Sequence, residues 1–275
     1  MKTIVSRRLS VHQEHEFLQK LESAGLIGNL AQRVIESKGN DLAVKVVSLV
    51  QSGKLVPTAS QSIARAIMGN NFFGVEEAIK HFRVNPTNQQ LAALYEIPFP
   101  EAVLRELKDT HILVAVFPLS ILEIRNRVGS KLFCKRFKSN NESFMREHGE
   151  LSWQLVCKTV NYNLIWKSWE EQLELLDEDD EVPTAQVMVY TILGRYLATG
   201  ECLCERYFHR TSTIDFESYS SDVRRVTVHF HPHPYEGIAD SDPGLSLETW
   251  GDSGGSNEVI SSARKVPVAR IRLER

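Results

Sequence analysis

The chain has 275 residues, of which 42% are hydrophobic and 24% are charged, and its formal net charge is −3. This composition is typical of a globular protein and excludes fibrous, collagen-like and wholly disordered chains. Stretches without a charged residue or histidine, such as residues 112–122, are far shorter than the roughly 20 apolar residues that cross a bilayer, so no transmembrane helix is expected.

Helical patterns dominate the first hundred residues. The capping-box spacing of Ser10 and Gln13, followed by Gly25, predicts a helix over 11–24. Asp41 can cap a second helix, and Gly53 marks its end. Four further short helices are predicted: one from Pro57 to Gly69, then Val75–Phe82, Gln89–Tyr95 and 101–108.

Strand patterns begin after these helices. Residues 111–117, HILVAVF, predict a strand that is buried on both faces. Apolar residues within Ser120–Arg127 and Ser152–Thr159 predict two more strands. The spacing of Ser168 and Glu171 then predicts a capped helix, and a longer helix that ends at Gly200 is expected to be the central packing helix of its domain.

The last third of the chain returns to strands, at about 205–213 and 223–231. In the second of these, alternation places Arg225, Thr227, His229 and His231 on one face and Val226, Val228 and Phe230 on the other. Residues 232–262 are rich in Gly, Ser, Asp and Pro, which predicts loops. The whole pattern predicts an α+β protein, with a helical bundle domain over 1–100 and, over 101–275, a mixed domain with a small, mainly antiparallel sheet.

Two features concern the compartment. The opening residues, MKTIVSRRLS, are basic but are not followed by the apolar run of about 7 to 15 residues that marks a secretory signal. The four cysteines, Cys134, Cys157, Cys202 and Cys204, are too few for a disulfide framework in a chain of this length. We therefore expect a cytoplasmic protein with reduced thiols and no membrane partner.

Three stretches together resemble a known group of sequences: FFGVEEAIKHFRVNPTNQQLAALYEIPF at 72–99, DTHILVAVFPLSILEIR at 109–125 and KSWEEQLELLDEDDEVPTAQVMVYTILGRYLATGECL at 167–203. Their order resembles that of a family of bacterial hypothetical proteins found mainly in candidate-phylum genomes. The resemblance covers most of 70–265. It implies a bacterial protein and a tolerant loop at 232–258, and it transfers no activity, ligand or functional residue.

A protease-like motif lies near the end of the chain. Residues 251–255, GDSGG, match the segment around the nucleophile of chymotrypsin-like proteases. In that double-barrel fold the base and its acid lie far upstream, whereas this chain is helical over its first hundred residues. We therefore predict that Ser253 belongs to a surface loop and is not a nucleophile.

The best metal-ligand candidate is the segment HFHPHPYE. His229 and His231 are two apart on a predicted strand, so they point the same way, and Glu236 could add an oxygen ligand. The spacing resembles the first metal motif of cupins but lacks its initial glycine and its later histidine. A surface strand that runs into a proline-rich loop explains the same residues. Cys202 and Cys204 are expected to pack in the interior rather than to add ligands.

Charge is distributed unevenly along the chain. Residues 170–275 carry ten Lys and Arg against twenty Asp and Glu, and eight of these carboxylates lie in an acidic segment at 170–181. A basic segment at 125–138 contains six cationic residues with two phenylalanines among them. The six could bind phosphates, or they could pair with the acidic segment. They are Arg125, Arg127, Lys131, Lys135, Arg136 and Lys138.

The common nucleotide-binding, dinucleotide-binding, zincin and EF-hand signatures do not occur in the sequence. Hypotheses about function therefore rest on the candidate residues described above. The helix pair at 75–95 has helix-turn-helix proportions, but its second helix offers amides and no arginine, which favours simple packing. The leading hypothesis is a non-enzymatic protein that binds a macromolecule, with nucleic acid as the partner to test first and another protein as the other option. The alternative is a metal-dependent enzyme, with a divalent cation at His229, His231 and Glu236.

Overall fold

A computed structural model describes residues 10–23, 28–37, 57–134, 143–204, 207–215, 223–231, 243–252 and 258–267. Within these ranges no helix is both long and apolar enough to cross a bilayer. The chain divides into two compact units, residues 1–56 and 57–275. The domain boundary that the sequence suggested near residue 100 therefore lies inside the second unit.

The described part of the first unit is helical, with α1 over Val11–Ser23 and α2 over Gly28–Ile35. The predicted capping box opens α1, because the Ser10 N–H donates to Gln13 Oε1 at 2.9 Å and the Gln13 N–H donates to Ser10 Oγ at 3.2 Å. The helix predicted between Asp41 and Gly53 lies outside the described residues.

The second unit is of the α+β class, as predicted. Its described helices are α3 (Ala59–Met68), α4 (Val75–Phe82), α5 (Asn88–Ala93), α6 (Glu101–Leu107), α7 (Ile121–Val128), α8 (Trp169–Glu174) and α9 (Ala185–Thr199). Its described strands are β1 (Phe72–Phe73), β2 (His111–Val116), β3 (Ser152–Cys157), β4 (Asp180–Glu181), β5 (Phe208–Ile214), β6 (Arg224–His231), β7 (Gly244–Gly251), β8 (Glu258–Ile260) and β9 (Ala263–Arg264). Single 3₁₀ turns lie at Gly69–Asn71, Ser130–Leu132, Ser143–Met145 and Tyr162–Leu164.

The strands form two sheets. The first has the order β1-β2-β3-β9-β4, and the second has the order β7-β6-β5-β8. Pairing is antiparallel except between β1 and β2 and between β5 and β8. All six residues of β2 are buried, which confirms the strand predicted from HILVAVF.

Helix α9 lies in the core of the second unit, where it packs against β2 of the first sheet and against β5 and β6 of the second. Every residue from Ala185 to Arg195 is buried, so the helix is covered on all sides rather than along one stripe. Thr184 caps its N-terminus and Gly200, with φ of 76°, ends it. The prediction of a central packing helix is confirmed.

Two secondary-structure predictions were wrong. Residues 121–128 form a helix rather than a strand, because Ser120 Oγ accepts from the Glu123 N–H at 3.2 Å and the Glu123 carboxylate accepts from the Ser120 N–H at 2.8 Å. The predicted loop at 232–262 contains β7 and β8. Strand β7 forms there because its backbone pairs with β6 along the whole length from Arg224 to His231.

Candidate functional site

The basic segment begins on helix α7 and is partly used inside the fold. Arg127 Nη1 donates to the carbonyl oxygen of Arg83 at 2.9 Å and to that of Phe82 at 3.4 Å, which fastens α7 to the end of α4. The Arg125 guanidinium lies 5.9 Å from the centroid of the Phe133 ring and is half-buried. Lys131 is exposed. Lys135, Arg136 and Lys138 lie outside the described residues.

The acidic segment makes its described ion pairs with strand β9. The Arg264 guanidinium lies 3.1 Å from Asp180, 3.2 Å from Asp179 and 3.6 Å from Asp177. Lys265 Nζ also donates to the carbonyl oxygen of Glu178 at 2.5 Å. In the described residues these three aspartates therefore pair with Arg264 and not with the basic segment. Sequence reasoning missed Arg264, which is separated from its partners by more than eighty residues.

The two histidines of β6 share a face, as predicted. The ring centroids of His229 and His231 are 5.0 Å apart, and the His229 ring stacks on Phe208 at 4.7 Å. Each histidine is only 8% exposed, so the alternative of a surface strand was wrong. Glu236 lies outside the described residues. In the part of the chain that the structure describes, no three His, Cys, Asp or Glu side chains come close enough to hold a metal ion.

The aspartate of the GDSGG motif has a structural role. The Asp252 carboxylate accepts from Arg225 Nε at 3.0 Å, and its backbone carbonyl accepts from the Trp169 N–H at 3.0 Å. The Arg225 guanidinium lies 3.8 Å from the centroid of the Trp169 ring, a cation–π contact. Asp252 thus joins the β6–β7 hairpin to α8. Ser253 lies outside the described residues.

A buried ion pair that sequence reasoning missed lies in the second sheet. Arg210, which is 1% exposed, forms an ion pair with Glu258. Gln172 Nε2 donates to the carbonyl oxygens of Leu164 at 2.7 Å and of Glu258 at 2.8 Å. Burial raises the pKa of the Glu258 carboxyl, while Arg210 opposes that shift. Alternation along a strand does not distinguish such a buried arginine from an exposed one, so the sequence carries no signal for this pair.

A cleft of about 240 Å³ opens beside β3, β5 and β8. We call it the His209 cleft. The side chain of His209 is buried, and its Nδ1 lies 3.4 Å from Ser261 Oγ. Burial, with a smaller effect of His229, lowers the pKa of His209 to about 4, so the imidazole is neutral at pH 7. The cleft is lined by Cys157, Thr159, Val160, Asn161, Leu164, Leu175, Leu176, Asp177, Asp180, His209, Ile260, Ser261 and Ser262.

Comparison with known proteins found no matching family model, no matching curated protein and no matching solved structure. The resemblance to a bacterial family therefore stays a prediction. Any role for these residues has to be argued from their geometry.

Proposed function

We propose that the protein binds nucleic acid through a basic surface formed where α7 meets the end of α4. The surface comprises Arg83, Arg125, Arg127 and Lys131. Arg127 supports the proposal most directly, because its bonds to the α4 carbonyls bring the basic segment beside the exposed Arg83. Three more cationic residues, Lys135, Arg136 and Lys138, follow in the sequence.

The environment of the acidic segment also supports this proposal. A basic segment that pairs with carboxylates of its own chain has little charge left for phosphates. Here Asp177, Asp179 and Asp180 are engaged by Arg264. Cationic side chains on one surface bind the phosphate backbone without sequence preference, and each neutralised phosphate releases a counterion. We therefore expect affinity that falls steeply as salt rises.

A shift assay with a 20-base-pair duplex, over a range of salt concentrations, tests the proposal. The double variant Arg83→Glu/Lys131→Glu should weaken binding and flatten the salt dependence by roughly one unit of slope for each phosphate that is no longer neutralised. Arg105→Glu/Lys108→Glu is the matched control, since it reverses two exposed cations on α6 and the turn after it. An absence of binding at low salt, or equal weakening by both double variants, would contradict the proposal.

A second candidate is a metal-dependent enzyme with a divalent cation at His229, His231 and Glu236. The observation that favours it is the 5.0 Å spacing of the two imidazole rings on one face of β6. Metal analysis after incubation with zinc tests it, with His229→Asn/His231→Asn as the variant. Stoichiometric zinc that is absent from the double variant would support this candidate, and zinc content equal in both proteins would exclude it.

A further inference from the structure

We propose that the His209 cleft binds a small organic cation, a primary amine with a short apolar body. This site is independent of the nucleic-acid surface. Its volume of about 240 Å³ lies below the range of about 300–1,000 Å³ that is usual for drug-sized ligands, so the ligand is small. Five of its described lining residues are apolar and suit a short hydrocarbon chain. These five residues are Val160, Leu164, Leu175, Leu176 and Ile260.

Charge selects a cation over an anion. Two carboxylates, Asp177 and Asp180, line the cleft, and none of its described lining residues is a lysine or an arginine. Arg264 contacts both carboxylates, and Lys265 also acts on Asp180, but Asp179 adds a third carboxylate, so three negative charges face two positive ones. The local charge therefore stays negative, and an ammonium group is favoured there.

The carboxyl of Asp180 supplies a reason for the cation to bind inside the cleft rather than at its rim. Asp180 is largely buried, and this burial raises the pKa of its carboxyl even though Arg264 lies 3.1 Å away. Burial removes water from the ionised carboxylate, and the neighbouring cations do not fully replace it. A bound ammonium group supplies that charge and forms a charge-assisted hydrogen bond.

His209 is a second, separate indication of a ligand. Its side chain is 7% exposed and lines the cleft, and its Nε2 has no hydrogen-bond partner among the described residues. Buried polar atoms are usually paired, so an unpaired one calls for a ligand or a water. In the tautomer whose Nδ1–H donates to Ser261 Oγ, Nε2 is left as an acceptor for an N–H donor. The hydroxyl groups of Ser261 and Ser262 add further acceptors.

Three probes of equal chain length test the choice of charge: n-butylamine, 1-butanol and butyrate. Each is titrated into the full chain at pH 7, and binding is followed by NMR. We expect the amine to bind about tenfold more tightly than the alcohol, as one charge-assisted hydrogen bond implies, and we expect no binding of butyrate. Equal binding of all three probes, or no binding of the amine up to about 50 mM, would overturn the proposal.

Two variants test whether the amine binds in the His209 cleft. Asp177→Asn removes a lining carboxylate that is mostly exposed, so the fold should tolerate it. Glu178→Gln is the matched control, because it removes the same charge from the next residue, whose side chain does not line the cleft. We expect Asp177→Asn to weaken amine binding by about fivefold or more and Glu178→Gln to change it by less than about twofold. Equal weakening by the two variants would show a general charge effect and contradict the site.

Discussion

The ring of Phe82 on α4 lies 4.2 Å from the ring of Tyr190 on α9, measured between centroids. This contact joins the helical segment that precedes residue 100 to the central helix of the second unit. Gly194, one turn further along α9, makes room for the same aromatic cluster, since a Cβ there would lie 3.0 Å from the Phe73 ring. The short helices α3 to α6 are therefore part of one core rather than a separate bundle.

Replacement of Phe82 should show that this core is shared. Phe82 is fully buried, and Phe82→Ala removes its packing against Phe73 and Tyr190. We expect the free energy of unfolding to fall by about 3–5 kcal/mol. Tyr95→Ala is the control, because Tyr95 is 57% exposed and its replacement should cost less than about 1 kcal/mol. Urea unfolding measures both, and similar effects of the two variants would contradict a shared core.

The buried pair of Arg210 and Glu258 leads to a second prediction. Arg210→Met leaves the Glu258 carboxylate buried without its cation, so we expect a loss of about 3–5 kcal/mol. The double variant Arg210→Met/Glu258→Leu removes both charges and should recover part of that loss. Arg105→Ala breaks only the exposed pair with Glu101 and should cost about 1 kcal/mol or less. A double variant that is less stable than Arg210→Met would refute this account.

Buried histidines predict that acid destabilises the second unit. Burial lowers the pKa of His111, with a smaller effect of Arg264, to about 4, and it lowers the pKa of His209 to about 4. An unfolded chain takes up a proton at each histidine near pH 6.5, whereas the folded chain does so only near pH 4. The contribution of each histidine to the free energy of unfolding is therefore fully present above about pH 6.5. It is lost between about pH 6.5 and 4, by at most roughly 1.4 kcal/mol per pH unit for each histidine.

The variant His111→Asn isolates one of these contributions. Raised pKa values at Asp180 and Glu258 act in the opposite direction, so the quantity to measure is the difference in slope between the variant and the parent chain. We expect His111→Asn to have the shallower slope between pH 6.5 and 4. His12→Asn is the control, because His12 is exposed on α1 and should leave the slope unchanged.

Local signals in the sequence predicted much of the fold. The reciprocal hydrogen bonds of Ser168 and Glu171 and the bond from the Gly200 N–H to the Tyr196 carbonyl are contacts between near neighbours, and each marks a helix end where the pattern places it. The same spacing at Ser120 and Glu123 also marks a helix start, although the apolar residues there predict a strand. The composition of residues 244–251 predicts a loop, because the pairing that makes them a strand comes from β6 and not from their own residues.

The sites were harder to predict, because the partners lie far apart in the sequence. Arg264 binds aspartates of the acidic segment, and Arg210 binds Glu258 across almost fifty residues. A run of like charges shows that a partner is needed but does not show which one. The His209 cleft is assembled from four separate stretches of chain, and none of them has a motif of its own.

The contacts of Asp252 allow a test of the GDSGG motif by stability. Its carboxylate is partly buried and accepts from Arg225, whose guanidinium also lies over Trp169. Asp252→Asn removes the charge but keeps the shape, so Arg225 loses its ion-pair partner. We expect a loss of about 1–3 kcal/mol in urea unfolding and a changed Trp169 emission. Asp109→Asn, at an exposed aspartate, serves as the charge-matched comparison, and an equal loss in both variants would contradict a specific role for Asp252.

The same contacts bear on the chemistry of Ser253. In chymotrypsin-like proteases the residues around the nucleophile serve catalysis, whereas here the neighbouring aspartate is held by an arginine that also contacts a tryptophan. A serine is activated only by a base within hydrogen-bond reach, and in that double-barrel fold the base and its acid come from far upstream, whereas the described residues before His111 are mainly helical. We therefore expect a fluorophosphonate probe to leave Ser253 unlabelled, with active chymotrypsin as the positive control. Mass spectrometry of the treated chain measures this, and stoichiometric modification of Ser253 would show that the motif is a working nucleophile.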